Sequence, residues 1–283
     1  MTTPRRDDPF PGVFDDEFPV GAQDGNRAYF GRDVLRGLVD GIKDFEQRRQ
    51  ERWWHPGSRT IGPALLGCSP WINDDALLSA IETLKGACVV TTKQPRTANE
   101  SRVAERLRAF NARTPGFQLR ALNLGDMAPK VDGEPLVAGP STPIDVDFTV
   151  TTIRTIGRRQ TDARLPPLAH AKLAVLGYLR WHDEDALGHP DDILGFAPRR
   201  LWVSSANFTY GSRRSLEFGY WTEEPALVDR SKHFLARLVG ASEGLDADSD
   251  APDPDLAPIE FDWEAIAEMA AEMAWEEDEE DEP

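Results

Sequence analysis

The run Ala87-Cys88-Val89-Val90-Thr91-Thr92 constrains the fold of this chain more than any other segment. It is small, apolar and β-branched, with no polar alternation, which is the pattern of a strand buried on both faces. Such a strand needs a helical layer on each side. The neighbouring sequence supplies one. Leu77, Leu78, Ile81 and Leu84 recur at helical spacing, Asn73 is placed to cap that helix, and Gly86 ends it. Beyond the run, Asn99 is placed to cap a helix with Val103, Leu107 and Phe110 inward. Upstream, Val34, Leu35, Leu38, Ile42 and Phe45 predict a helix after Arg32 that ends near Trp53-Trp54-His55-Pro56.

Further strands are predicted over residues 64–72, 118–124, 144–153, 170–178, 200–208 and 216–221, and a helix over 231–239. The expectation is an α/β fold: one domain over residues 26–242 with a mixed sheet between helical layers. Residues 1–25, rich in Pro, Asp and Phe, are expected to form a flexible arm. The charged stretch over 180–199 has no core pattern and is read as an insertion that covers a site. Residues 243–283 are read as an acidic linker. Within it Ile259, Trp263, Ile266, Met269 and Met273 form the stripe of a short amphipathic helix.

Charge bears on substrate only once it is divided along the chain. The formal net charge of -17 argues against a polyanionic ligand. Residues 243–283, however, hold 18 acidic residues and no Lys or Arg, so the first 242 residues carry 32 basic against 31 acidic side chains. A neutral body leaves such a ligand open. Two cysteines, Cys68 and Cys88, are too few for a disulfide framework or a cysteine metal cluster and read as core thiols. No run approaches the roughly 20 apolar residues of a membrane helix, and MTTPRRDDPF lacks the apolar core of a secretory signal. A cytoplasmic location is expected, with no membrane association.

The chemistry-bearing residues lie in the second half. His170-Ala171-Lys172 on a strand would put the His and Lys side chains on one face. Ser204-Ser205-Ala206-Asn207-Phe208-Thr209 closes another strand with Ser205 and Asn207 on a shared face, and Ser215-Leu216-Glu217 follows. This set resembles the phospholipase D superfamily, whose pattern is His-x-Lys, then Gly/Ser-Ser-x-Asn, then a Glu on the next strand. The opening Gly67-Cys68-Ser69-Pro70-Trp71-Ile72 also looks like the first strand–helix step of such domains, so the likeness spans about residues 60–240. Gly177 departs from it, standing where the family carries an Asp.

The resemblance implies a phospholipase D-like sheet between helices and a phosphodiester hydrolase working through a phosphohistidine. His170 would be the nucleophile. Lys172, Ser205, Asn207 and Thr209 would hold phosphate oxygens. Glu217 would accept the second His170 ring N–H and fix its tautomer. Neither a metal nor another cofactor is required. With a single His-x-Lys, the second histidine would come from an identical chain across a two-fold axis, which implies a homodimer.

Arg199, Arg200, Arg213 and Arg214, with Arg158 and Arg159, flank the motif and are read either as nucleic-acid contacts or as ordinary surface charge. Nucleic acid is the expected substrate, hence a nuclease. Two alternatives stay open. One is a non-catalytic interaction subunit of a DNA-processing or defence complex, its acidic tail recruiting a protein partner. The other is a lipid phosphodiesterase, marked by exposed Leu, Phe or Trp around the pocket. His182 and His189 lie among Asp183, Glu184, Asp185, Asp191 and Asp192, but their spacing fits no standard metal cluster, and a solvated loop is the reading.

Overall fold

The computed structural model describes residues 15–20, 26–47, 58–94, 98–141, 148–159, 169–184 and 190–280. Nine strands form one sheet: β1 (Asp16–Pro19), β2 (Arg27–Gly31), β3 (Ser58–Cys68), β4 (Gly86–Thr92), β5 (Ile153–Ile156), β6 (Leu173–Glu184), β7 (Pro190–Ser204), β8 (Glu217–Thr222) and β9 (Glu243–Gly244). Their order is β1-β2-β8-β7-β6-β3-β4-β5-β9. The β3-β4-β5 run is parallel and every other pairing antiparallel. The helices are α1 (Leu35–Gln47), α2 (Asp75–Glu82), α3 (Ala98–Asn111), α4 (Pro225–Gly240) and α5 (Trp263–Glu280).

The mixed α/β sheet expected from the sequence is present, and the all-buried run is its β4. Alternate residues of each central strand point into two cores. Leu65, Val89, Ala174 and Leu176 meet α1, α2 and α3. Leu66, Cys88, Val90 and Val175 meet α4 and the segment around Phe117 and Leu119. Close approach of α1 to the sheet depends on two glycines. A Cβ on Gly41 would lie 2.5 Å from the Trp221 ring, and one on Gly37 would lie 2.7 Å from Tyr29. The Trp221 Nε1–H donates to the Gly37 carbonyl at 2.9 Å.

Several expectations are corrected. Residues 180–199 do not loop out: β6 and β7 pair almost continuously from Leu173↔Val203 to Glu184↔Pro190 as one long hairpin. Its turn, with His189, lies outside the described residues. Residues 118–124 are not a strand, because Phe117–Gln118 gives way to a 3-10 turn, Arg120–Leu122, closed by Asn123 at φ 59°. α2 is capped by Asp74, whose carboxylate accepts the Leu77 N–H, while the Asn73 side chain accepts from Tyr210 N. Asn99 lies within α3. Residues 144–147 of the expected strand lie outside the described residues, as do residues 1–14 and 21–25 of the expected arm. Within that arm, Asp16–Pro19 is an edge strand.

The domain does not end at residue 242. Ser242 and Glu243 are buried, and β9 extends the sheet beside β5. Leu256–Pro258 then pairs with Met127–Pro129, and Glu260–Phe261 with Val137–Ala138. A row of cations holds this acidic segment. Lys93, 2% exposed, pairs with the equally buried Glu243 at 2.7 Å and donates to the Ser249 and Ala251 carbonyls. Arg154 meets Ser242 and Asp255, and Arg159 meets Ala247 and Asp250. The apolar stripe of α5 faces solvent at Trp263, Met269 and Met273. Among the described residues, no helix is long and apolar enough to cross a membrane.

Candidate active site

The hairpin brings the motif residues together at one end of the central strands. Residues 170–172 precede β6 rather than lying within it, but the Lys172 carbonyl accepts from Ser204 N at 3.1 Å and so prolongs the ladder by one pair. On the next strand boundary Ser205 N donates to the Phe218 carbonyl, placing Ser205 beside Glu217. The connection after β7 alternates as the sequence suggests. Ala206 and Phe208 are buried, and Ser205 and Asn207 face outward. Ser69 fixes this segment, accepting from Phe208 N at 3.0 Å and donating to the Trp71 carbonyl, and Asn73 N donates to the Phe208 carbonyl. Ser69 was not singled out in the sequence; its signal is its place at the end of the parallel strand β3.

His170 is exposed, whereas Lys172 is buried. The Lys172 Nζ lies 3.2 Å from both His170 ring nitrogens and donates to the His170 carbonyl at 2.9 Å. Burial lowers the Lys172 pKa, with the Glu217 carboxylate and then the Cys68 thiol partly opposing that shift. Cys68 is not a competing nucleophile, since burial pushes its thiol up to about 12 and its Sγ contacts the Ala171 carbonyl. Asn207 is half-buried, and its Oδ1 is sealed from water without a hydrogen-bond partner. Turned about its Cβ–Cγ bond, the same amide would present NH2 there, so a ligand of either polarity can satisfy it.

Glu217 occupies a different position from the one expected. Its carboxylate takes the Ser205 hydroxyl in a short hydrogen bond, and among the described residues no hydrogen bond joins it to His170. The reason is cross-strand pairing, which sets Ser205 next to Glu217 and Phe218. Ser205 Oγ also accepts from Phe218 N at 2.9 Å, so its one proton and an accepting position are already used. Thr209 is likewise committed. It caps the 3-10 turn Tyr210–Arg214, accepting from Ser212 N.

The arginines divide. Arg213 holds both Asp74 oxygens and also Asp33. Arg200 pairs with Glu223 at 3.3 Å and lies 4.8 Å over the Trp221 ring. Both serve the fold. Arg199 is half-buried and Arg214 exposed, while Arg158 is exposed and Arg159 is bound to the acidic segment. Tyr210, Leu216 and Phe218 are exposed beside the site. A cavity of about 300 Å³ opens between α3, the end of β4 and residues 245–248, lined by Trp71, Lys93, Gln94, Arg108 and Leu245. None of His170, Lys172, Ser205, Asn207 or Glu217 lines it.

No family model and no curated protein matches the chain. Among solved structures it is similar to Nuc of Salmonella typhimurium, described as a phospholipase D family member. That similarity has a TM-score of 0.36 at 10% identity, covering 77% of this chain and 97% of Nuc. A likeness this distant leaves the family to be argued from the residues themselves.

Proposed function

We propose that this protein is a phosphodiesterase of the phospholipase D type whose nucleophile is His170. The observation that carries the reading is the Lys172 ammonium on the His170 ring, with the unpartnered Asn207 amide on the adjoining strand end. In the free protein the ammonium rests against the His170 ring, 3.2 Å from both of its nitrogens. An incoming phosphodiester draws Lys172 onto a non-bridging oxygen, Asn207 binds another, and the ring nitrogen that bears the lone pair attacks phosphorus. The P–N bond forms as the P–O bond to the leaving group breaks. The His170 of a second copy gives that oxygen its proton, then takes one from the water that hydrolyses the phosphohistidine. No step requires a metal. Glu217 acts on this site through Ser205 and through its field on Lys172, in place of the tautomer-fixing role the motif suggests.

Nucleic acid is the proposed substrate, with the exposed Arg214 as the remaining candidate backbone contact. A lipid phosphodiester is the second reading, favoured by exposed Tyr210, Leu216 and Phe218 at the site. The test is hydrolysis in EDTA of labelled single- and double-stranded DNA and RNA, and of phosphatidylcholine vesicles, by wild type and His170→Ala. Cleavage of one class, lost in His170→Ala, supports the reading. Equal cleavage by the variant overturns it.

A further inference from the structure

The long hairpin carries a second cationic feature, far from His170. Arg180 on β6 is 9% exposed, and its Nε is sealed from water with no hydrogen-bond partner. Among the described residues no hydrogen bond or ion pair reaches its guanidinium. Two other buried arginines are treated differently: Arg154 is answered by Ser242 and Asp255, and Arg200 by Glu223. An uncompensated buried cation costs several kcal/mol, so a site that keeps one is built for a missing anion or carries a defect.

The surroundings of Arg180 fit an anion. Its cross-strand neighbours, which share its face, are Gly195 on β7 and Thr60 on β3. Gly195 adds no side chain, and Thr60 is exposed and brings a hydroxyl donor. Register shifts fall beside it at Leu179/Arg180 and at Leu176/Gly177, the second leaving Arg199 as the extra residue between Pro198 and Arg200. Burial and then the Arg199 cation lower the Arg180 pKa, with Tyr178 opposing. The Arg199 cation thus adds to the positive field at Arg180, whose own guanidinium has no acidic partner among the described residues.

We infer that Arg180, with Thr60 and Gly195 at its sides, binds a phosphate-type oxyanion, taken either as free phosphate or from the backbone of a nucleic-acid strand. The guanidinium fork offers two parallel N–H donors to two oxygens, and the Thr60 hydroxyl offers a third. Arg180 lies seven residues along β6 from Leu173, roughly 23 Å in an extended strand. The site is thus separate from the candidate active site and does not depend on His170 chemistry.

The experiment compares full-length wild type with Arg180→Met. Thermal unfolding is followed in sodium phosphate and in sodium chloride at matched ionic strength. Phosphate is expected to raise the melting temperature of wild type more than that of the variant, which keeps only the Lys172–Asn207 phosphate site. In chloride the variant should melt no lower than wild type, because it has lost an unpaired buried charge. Fluorescence anisotropy with a labelled oligothymidylate distinguishes the sources. A strand phosphate at this site predicts affinity about tenfold weaker in the variant and a salt slope smaller by about one. Unchanged oligonucleotide affinity with a reduced phosphate response assigns the site to free phosphate. Equal phosphate responses in the two proteins overturn the inference. If Arg180→Met does not fold, Arg180→Lys, which keeps the charge without the fork, must show a weakened phosphate response, and a full response overturns the inference.

Discussion

The Nζ of Lys172 stands 3.2 Å from each ring nitrogen of His170, so the proposed nucleophile and its phosphate-binding cation are in contact before any substrate arrives. Catalysis then needs Lys172 charged, to leave the ring for the phosphate. Because burial lowers the Lys172 pKa, its charge is lost at a pH below the ordinary lysine range. The pH–rate profile should fall on its alkaline side as Lys172 deprotonates. The stability sign runs the other way. With the folded pKa below the unfolded one, charged Lys172 opposes folding at neutral pH, and that opposition fades as pH rises through the lowered pKa. Lys172→Met should therefore melt no lower than wild type at neutral pH while losing phosphodiesterase activity. A variant that melts normally and keeps its activity would remove Lys172 from the mechanism.

Arg213 and Arg214 are neighbours in sequence with opposite expected phenotypes. Arg213→Met strands the Asp74 carboxylate, 2% exposed, at the start of α2. Breaking a buried pair in this way costs about 3 kcal/mol, measurable by urea unfolding. Burial alone would raise the Asp74 pKa, but hydrogen bonds from Arg213 and the Leu77 N–H hold it below its ordinary value. That stabilisation is present above the unfolded Asp pKa and is lost as pH falls through the lowered one. In Arg213→Met the acid limb of the stability profile should move to higher pH. Arg214→Ala should change stability by less than about 0.5 kcal/mol and weaken oligonucleotide binding.

The acidic C-terminal region should divide at residue 262 rather than at 242. Glu243→Gln leaves Lys93 buried against a neutral partner and is expected to cost about 3 kcal/mol. Truncation after Ser242 also removes the carbonyls of Ser249 and Ala251 that hold Lys93, and should not give a folded protein. Truncation after Asp262 removes only α5, whose stripe is solvent-facing, and should leave the melting temperature unchanged. Only the second truncation can therefore test whether the tail recruits a protein partner.

How much of this was legible follows from where each signal resides. The buried strand β4 and the helical stripes of α1, α2 and α3 were readable because apolar spacing is a local property. The hairpin was hidden because His182, Asp183, Glu184, Asp191 and Asp192 break the strand pattern near its turn, although pairing through backbone groups does not require apolar side chains. The acidic segment read as linker because its docking rests on ion pairs with Lys93, Arg154 and Arg159, which are remote in sequence. The residue types of the site were legible, but their partners were not. Glu217 meets Ser205 through strand register, which no spacing along one strand reveals. Gly177 now has a structural reason. A Cβ there would lie 2.3 Å from the Ala197 carbonyl oxygen at the β-bulge, so the family's Asp cannot be accommodated.

The proposed half-site makes a quantitative prediction about mixed dimers. Each copy supplies one His170, as nucleophile in one role and as acid in the other, so a dimer with one His170→Ala copy lacks a required group. Wild type and His170→Ala, mixed in equal amounts and allowed to exchange subunits, form about one quarter wild-type dimers by random pairing. Phosphodiesterase activity per total protein should fall to about that quarter of the unmixed wild-type value. If each chain instead worked alone, dilution would leave about half. Sedimentation of the same mixtures reports whether dimers are present at the assay concentration. A linear dilution curve with dimers present would place both catalytic groups within one chain, leaving His55, His182, His189 and His233 as the candidates for the second.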